Sequence, residues 1–212
     1  MNPQTPPHFP ATSPRPEIGF ITLGQSPRLD ILSEMRNLLD PDLIPAERGA
    51  LDGMTSRQVE ALRPTGGEDT LLTRLADGTP VVVEKGMLVP LLNERIAELE
   101  DEGVGMVALL CTEAFAGLQS RGILLSPWEL MCRTLRAMLP TGRIGVLGPL
   151  AAQAESVRHR WERATGLDTC VQIAPPYQES NDWSRLGEEF LREKVQVIVL
   201  DCFGYTKHVQ NQ

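Results

Sequence analysis

The sequence predicts an α/β protein in which parallel strands are flanked by helices. Short aliphatic and β-branched runs, such as "IGFITL" and "VQVIVL", alternate along the chain with segments whose apolar residues recur at helical spacing. Continuous apolar runs are typical of strands buried on both faces, and their alternation with helices is typical of parallel sheets. The longest interruption in apolar content falls around residues 112–125, which favours a division into two halves.

The first half is predicted over residues 17–111. The preceding stretch, residues 1–16, is rich in proline and has no apolar periodicity, so we expect a disordered arm. "IGFITL" predicts a buried strand and "GQSPR" a turn. Ser26 then has the character of a helix N-cap, with Pro27 at the first helical position and a helix through "LDILSEMRNLL".

Further along this half, "LIPAERG" predicts a weak strand and "TSRQVEALR" a short capped helix. A β-hairpin is expected near residues 70–85, because Asp77-Gly78 supplies the positive φ values of a tight turn. "LVPLLNERIAELEDEG" predicts an amphipathic helix that ends at Gly103.

The second half is predicted over residues 112–206. A helix is expected to begin at Ser126, where Glu129 completes a capping box. The strands "RIGVLGP", "TCVQIAP" and "VQVIVLDC" then alternate with helices over residues 150–165 and 183–194. Residues 207–212 read as a polar tail.

Composition argues against several kinds of partner. The chain has 212 residues and a net charge of −8, which disfavours nucleic acid because phosphate surfaces need clustered Lys and Arg. Arg158, Arg160 and Arg163 are interleaved with Glu155 and Glu162, and this pattern is typical of a solvated helix face. No apolar run has membrane-spanning length and no signal peptide is visible, so we expect a cytoplasmic protein with no membrane partner.

Metal and cofactor motifs are missing from the sequence. The four cysteines, at 111, 132, 170 and 202, show no CxxC spacing, so no metal site is predicted. The pair Gly103 and Gly105 precedes its strand, whereas a dinucleotide fingerprint must follow one. We therefore expect no cofactor.

Two cysteines mark the candidate site. Cys111 and Cys202 each end an apolar strand, and in an open parallel sheet ligands bind beyond the carboxyl ends of the strands. A buried cysteine is often a small packing residue, and we assign Cys132 and Cys170 that role. Two thiols at equivalent strand ends favour chemistry instead, and thiolate character would make them the more reactive pair.

The loops at this edge supply candidate binding residues for a small carboxylic acid. Thr112 could bind a carboxylate or cap its strand, and Arg28 could clamp a carboxylate, pair with Asp30 or face solvent. Glu113 and Asp201, which flank the thiols, could tune them, but exposed carboxylates are the expected role of both. The remaining candidates are small or polar residues of the same loops, which could approach the ligand closely, orient it or serve as turns and caps: Gln25, Ser26, Gly148, Gly204, Tyr205 and Thr206.

The segments "ITLGQSPRLDI", "GEDTLLTRLADGT", "ALLCTEAF" and "VIVLDCFGY" together resemble the AroM family over most of residues 17–206. AroM-like proteins are similar in turn to the aspartate/glutamate racemase superfamily. The resemblance implies two pseudo-symmetric α/β halves, one catalytic cysteine closing a strand of each half, and a ligand between them. Carried across, Cys111 with Thr112 matches the first motif and Cys202 with Gly204 the second.

The resemblance implies a cofactor-independent racemase or isomerase that acts on a small carboxylic or amino acid. In a two-base exchange one thiolate removes an α-proton and the opposite thiol delivers one. Three functions stay open: this exchange, a non-catalytic small-acid sensor, and a single-cysteine nucleophile. AroM-like chains continue further than this sequence does, so the resemblance also implies an uncovered face on the first half and a homodimer that covers it.

Overall fold

Two parallel β-sheets form the framework of the protein in a computed structural model that describes residues 18–43, 45–66, 69–178 and 181–210. The proline-rich arm expected at residues 1–16 lies outside the described residues. The strands, in chain order, are β1 (Ile18–Thr22), β2 (Ala46–Gly49), β3 (Thr70–Arg74), β4 (Pro80–Glu84), β5 (Met106–Leu109), β6 (Ile123–Leu125), β7 (Arg143–Gly148), β8 (Asp168–Ile173) and β9 (Val197–Leu200).

The helices cover these sheets and connect their strands. In chain order they are α1 (Leu29–Met35), α2 (Ser56–Glu60), α3 (Lys85–Asp101), α4 (Pro127–Met138), α5 (Ala154–Thr165), α6 (Trp183–Arg192) and α7 (Lys207–Gln210), with a 3₁₀ turn at Ala151–Gln153 before α5. None of the helices in the described ranges is both long and apolar enough to cross a membrane.

The two sheets divide the chain after β6 rather than at residue 111, because β6 pairs with β5 at the edge of the first sheet. The first has the strand order β2-β1-β5-β6 and the second the order β8-β7-β9, with parallel pairing throughout. Strands β3 and β4 form a separate antiparallel hairpin, as Asp77-Gly78 predicts. The α/β class with parallel sheets is therefore confirmed.

Each half has its own apolar core. In the first, α3 is the main covering helix, and Leu88, Leu92, Ile96 and Leu99 are almost fully buried along one face at helical spacing. In the second, the rings of Trp128 and Trp161 meet edge to face with their centroids 4.7 Å apart. Each core holds its strands in place, so the loops after β1, β5, β7 and β9 are presented from fixed positions.

Two local predictions were wrong. Ser26 does not cap α1, which begins at Leu29 after Arg28, because Asp52 accepts hydrogen bonds from both the backbone N–H and the hydroxyl of Ser26. The stretch 112–125 was read as a crossing loop, yet it contains strand β6 at the edge of the first sheet. By contrast, Ser126 does cap α4 by accepting from the Glu129 N–H.

Candidate active site

A small cavity lies between the two halves, at the carboxyl ends of β1, β5 and β9. Its volume is about 40 Å³, room for only a few water molecules. Hairpin residues Leu71–Thr73 close one side of it, and α5 closes another through Val157 and Arg160. Its polar and sulfur-bearing lining residues are Thr22, Arg28, Thr73, Cys111, Thr112, Glu113, Gln153, Arg160, Tyr177, Asp201 and Cys202.

Both predicted thiols line this cavity, and each is held in the same way. The sulfur of Cys111 accepts a hydrogen bond from the Glu113 backbone N–H at 3.3 Å, and that of Cys202 accepts one from the Gly204 N–H at 3.4 Å. The repeated bond, each time from the residue two positions further on, follows from two equivalent strand-to-loop turns. Cys132 and Cys170 contact the cores of the second half instead, as the sequence predicts.

The protonation of the two thiols differs from what the sequence suggested. Burial raises the pKa of Cys202 to about 11, and the Gly204 N–H and nearby Arg28 offset this only in part. Burial raises the pKa of Cys111 further still, and the neighbouring carboxyl of Glu113 adds to the rise. Backbone dipoles therefore do not lower these pKa values below the ordinary range, and both groups are neutral thiols at pH 7.

Glu113 and Asp201 are not exposed carboxylates. Arg160 joins them from α5: its guanidinium lies 2.5 Å from an oxygen of each. Lys85 adds a second cation, 3.0 Å from Glu113. Arg160, read from the sequence as part of a solvated face, has a side chain only 14% exposed that stacks over the Trp128 ring. The predicted helix face was wrong here because α5 packs this residue against the loops that carry the thiols.

Asp201 is the most deeply buried member of this network, with a side chain 1% exposed. One of its carboxylate oxygens accepts from the indole N–H of Trp161 at 3.0 Å, while the other has no hydrogen-bond partner among the described residues. Burial raises the pKa of Asp201, and the positive charge of Arg160 opposes that rise. The cavity thus contains a carboxyl group that holds its proton more readily than usual, next to Cys202 in the chain.

Arg28 lines the cavity, but the edge of its guanidinium that could bind a carboxylate through two nitrogens is already bonded to Asp30. Its Nε and one terminal nitrogen donate to the two oxygens of Asp30 at 2.9 and 2.8 Å. The same terminal nitrogen reaches the Tyr177 hydroxyl at 3.2 Å, and the other nitrogen reaches the Thr22 hydroxyl at 3.4 Å. Of the readings that the sequence left open, pairing with Asp30 is the one observed, so Arg28 offers a ligand a single nitrogen rather than a fork.

Tyr177 lines the cavity from the loop after β8, and no sequence motif predicted it. The guanidinium of Arg74 stacks over the Tyr177 ring, with the Arg74 Cζ atom 4.5 Å from the ring centroid. Burial raises the pKa of its hydroxyl to about 12, so it remains neutral. Gly204 makes this position possible, because a Cβ there would lie 2.6 Å from the Tyr177 hydroxyl oxygen and 2.9 Å from Pro176. Close approach is thus the reading of Gly204 that fits the structure.

The other predicted binding residues are dispersed. Gln25 bridges two loops through the Leu51 carbonyl and the Ala76 N–H, and Ser26 is bonded to Asp52, so the structure does not bring these two side chains to the cavity. Gly148 is buried at the end of β7, and its neighbour Pro149 lines the cavity instead.

Thr112 does line the cavity, and it also lines an adjoining apolar groove together with Tyr205 and Thr206. The Tyr205 hydroxyl is occupied, since it donates to the Ala174 carbonyl at 2.7 Å. Within the described part of the chain, no group of three or more His, Cys, Asp or Glu residues is placed to hold a metal ion.

Comparison with known proteins agrees with this architecture. The chain matches the model of the AroM protein family over residues 18–212. Among solved structures it is similar to the aspartate racemase of Picrophilus torridus, with a TM-score of 0.53 and 16% sequence identity over 92% of this chain and 86% of that one. No curated protein matches it. The likeness shows an aspartate racemase-like fold, and the family match shows that the chain belongs to the AroM family.

Proposed function

We propose that the protein exchanges a proton at the α-carbon of a small carboxylic acid, without a cofactor, using Cys111 and Cys202 as the two acid/base groups. The observation that carries this proposal is the thiol pair. Two cysteines from different halves line one cavity, and each is held by the same backbone N–H bond. Two-base exchange needs one acid/base group on each face of the reacting carbon. A Cys-His hydrolase would need a histidine beside one of the thiols, and among the described residues no histidine lines the cavity.

Each turnover conserves both protons. Cys202, as thiolate, takes the proton from the α-carbon as the C–H bond breaks, and the electron pair passes into the ligand's carboxyl group. The Cys111 S–H bond then breaks, and its proton forms the new C–H bond on the opposite face. The enzyme ends with a Cys202 thiol and a Cys111 thiolate, which is the form ready for the reverse reaction.

Cys202 is the better first base because burial raises its pKa less than that of Cys111 and because Arg28 stabilises its anion. A pKa of about 11 leaves about one thiolate in ten thousand at pH 7, which corresponds to about 5 kcal/mol for deprotonation. A ligand that brings an ammonium group would reduce this cost, and the unpartnered oxygen of Asp201 is a nearby acceptor for the proton that Cys202 releases.

The test is solvent deuterium exchange, followed by proton NMR, into a panel of amino, hydroxy and alkyl carboxylic acids in D₂O. We expect the native protein to label the α-position of at least one acid. Cys111→Ser and Cys202→Ser should each reduce the rate by at least about a hundredfold, in line with the loss of a general acid or base. Cys132→Ser and Cys170→Ser are the matched controls and should leave it unchanged. Exchange that survives loss of both cavity thiols would disprove the assignment.

A non-catalytic small-acid sensor is the second candidate, and one observation favours it. Both thiols have raised pKa values and Arg28 is already paired with Asp30, so neither thiol is activated as a base and Arg28 is not free to clamp a carboxylate. A sensor would bind an acid from the panel, detected by a rise in melting temperature, without any α-deuterium incorporation.

A further inference from the structure

An apolar groove adjoins the thiol cavity. We name it the α1–α4 groove because it lies between α1 with its following turn (Ile31, Met35, Leu38) and α4 (Leu130, Met131). Its volume is about 500 Å³, and the side chains of Leu38 and Leu130 are left 76% and 53% exposed in it. A groove of this size and character is typical of a small-molecule site.

The groove is continuous with the site described above. Thr112, Cys202 and Phe203 line both the groove and the thiol cavity. Anything bound in the groove therefore lies next to the Cys202 thiol, the group proposed as the first base.

The cavity alone cannot hold a whole ligand. Its volume is about 40 Å³, whereas sites for drug-sized ligands occupy about 300–1,000 Å³. Most of the ligand must extend into an adjoining space, and the structure offers two. One is the α1–α4 groove. The other is a polar recess of about 610 Å³, which shares Glu113, Gln153, Val157 and Arg160 with the cavity.

The polar recess is poorly suited to a second carboxylate. Two of its three cations, Lys85 and Arg160, are already paired with Glu113, and the third, Arg163, donates through Nε to the backbone carbonyl of His159. Asp69 and Glu84 also line the recess and would repel an anion.

The groove favours an apolar group by its composition. Its lining is mostly apolar, its acidic residue Asp30 is already paired with Arg28, and its other charged residues are Glu34 and Lys207. The distal carboxylate of an aspartate-like ligand would leave water for a mainly apolar surface, whereas an alkyl or aryl group would cover the bare side chains of Leu38 and Leu130.

We infer that the ligand is a small monocarboxylic acid with an apolar substituent, which lies in the α1–α4 groove while its α-carbon lies at the thiols. The inference rests on the proposed function for the position of the α-carbon. It goes beyond that proposal, which names only a small carboxylic acid, in naming an aryl or branched-alkyl acid.

Binding is measured by calorimetry on a Cys111→Ser/Cys202→Ser double variant, so that no chemistry is needed. The probes are 2-phenylpropionate and methylsuccinate, which share an α-methyl carboxylate and differ in a phenyl or carboxymethyl group. We expect 2-phenylpropionate to bind at least tenfold more tightly. Adding Leu130→Gln should weaken the binding of 2-phenylpropionate at least tenfold, an effect comparable to the loss of about one methylene contact in an apolar pocket. It should leave the affinity for methylsuccinate unchanged.

Met138→Gln is the matched control, because Met138 lies on the same helix, is 65% exposed and is not part of the groove lining. Leu38→Gln provides a second groove variant from the other wall. Tighter binding of methylsuccinate, binding of neither acid, or equal effects of Leu130→Gln and Met138→Gln would overturn the inference. If 2-phenylpropionate binds as expected but the native protein exchanges no α-proton in any acid, the proposed exchange reaction fails while the groove assignment stands.

Discussion

Replacing Arg160 with methionine should destabilise the protein by about 4 kcal/mol at neutral pH. The guanidinium lies 2.5 Å from a carboxylate oxygen of both Glu113 and Asp201, and all three side chains are at most 14% exposed. Removing one partner of a buried ion pair costs about 3–5 kcal/mol, because the other charge is left without compensation. The native protein is expected to have only about 5–15 kcal/mol of stability in total, so the effect is large.

The loss should come mainly from Asp201. Glu113 keeps the charge of Lys85 at 3.0 Å, whereas Asp201 keeps the neutral Trp161 indole N–H and no second cation among the described residues. The stacking of the guanidinium on the Trp128 ring is lost as well, and such contacts are worth about 0.5–2 kcal/mol. Methionine preserves most of the apolar stem, so the measured change reports the charge rather than a cavity.

The stability lost in Arg160→Met should depend on pH because the pKa of Asp201 changes on folding. In the fold the pKa of Asp201 already lies above its ordinary value of 3.8, and it rises further without Arg160. Such a group favours folding below its unfolded pKa, and that advantage is lost as the pH rises through its folded pKa. The gap between Arg160→Met and the native protein should therefore be small near pH 4 and grow toward pH 7.

The assay is urea unfolding followed by circular dichroism at both pH values. Arg158→Met is the matched control on the same helix: its ion pairs with Glu155 and Glu162 are solvent-exposed, so its removal should cost far less than that of Arg160. Adding Asp201→Asn to Arg160→Met removes the uncompensated charge and should restore about half of the loss. A cost below 1 kcal/mol, or one that does not change with pH, would refute the reasoning.

Three further expectations follow from the same residues. Iodoacetamide should modify Cys202 before Cys111, because Cys202 has the lower pKa of the two, about 11, and the less buried side chain. The rate of modification should still be rising at pH 9. Mass spectrometry that shows Cys111 modified first would contradict this. Gly204→Ala should lower the free energy of unfolding by about 1–3 kcal/mol through the clash with Tyr177, whereas Gly187→Ala, with open space in α6, should raise it by about 0.5–1 kcal/mol; equal shifts in urea midpoint would argue against the close approach. The homodimer implied by the family resemblance stays a prediction, which light scattering at micromolar concentration checks.

Most of the secondary structure was predictable because burial imposes a pattern on the sequence. The strands that end at Cys111 and Cys202 are apolar runs, and α3 shows its buried face at helical spacing. Strand β6 was not predicted because a run of three apolar residues is too short to distinguish a strand from a loop. The start of α1 was misplaced because Asp52, 26 residues further on, competes for the Ser26 hydroxyl, and no local pattern shows such a partner.

The site divides in the same way. The thiols could be located from the sequence because parallel strands bring their carboxyl ends to one edge. Glu113 and Asp201 could be identified from the sequence as neighbours of the thiols. Their burial depends on Arg160, which lies on α5 and is separated from each of them by more than forty residues in the sequence. The surface pattern of α5 gives no sign that one of its arginines points inward, and Tyr177 carries no motif. Such contacts depend on how the halves pack, which a single sequence does not specify.

The way the cavity is closed determines how a ligand can reach it. Two kinds of side-chain contact hold the halves together over the thiols: the Arg160–Glu113 ion pair, and the placement of Tyr177 against Arg28 and Arg74. A ligand that enters from the α1–α4 groove leaves these contacts in place, whereas one that enters between the halves must part them, and such opening motions generally take microseconds to milliseconds. Because dissolved salt weakens charge contacts once they are exposed to water, we expect entry between the halves to be favoured at high ionic strength. A binding rate that rises with salt and falls with solvent viscosity would therefore indicate entry between the halves rather than through the groove.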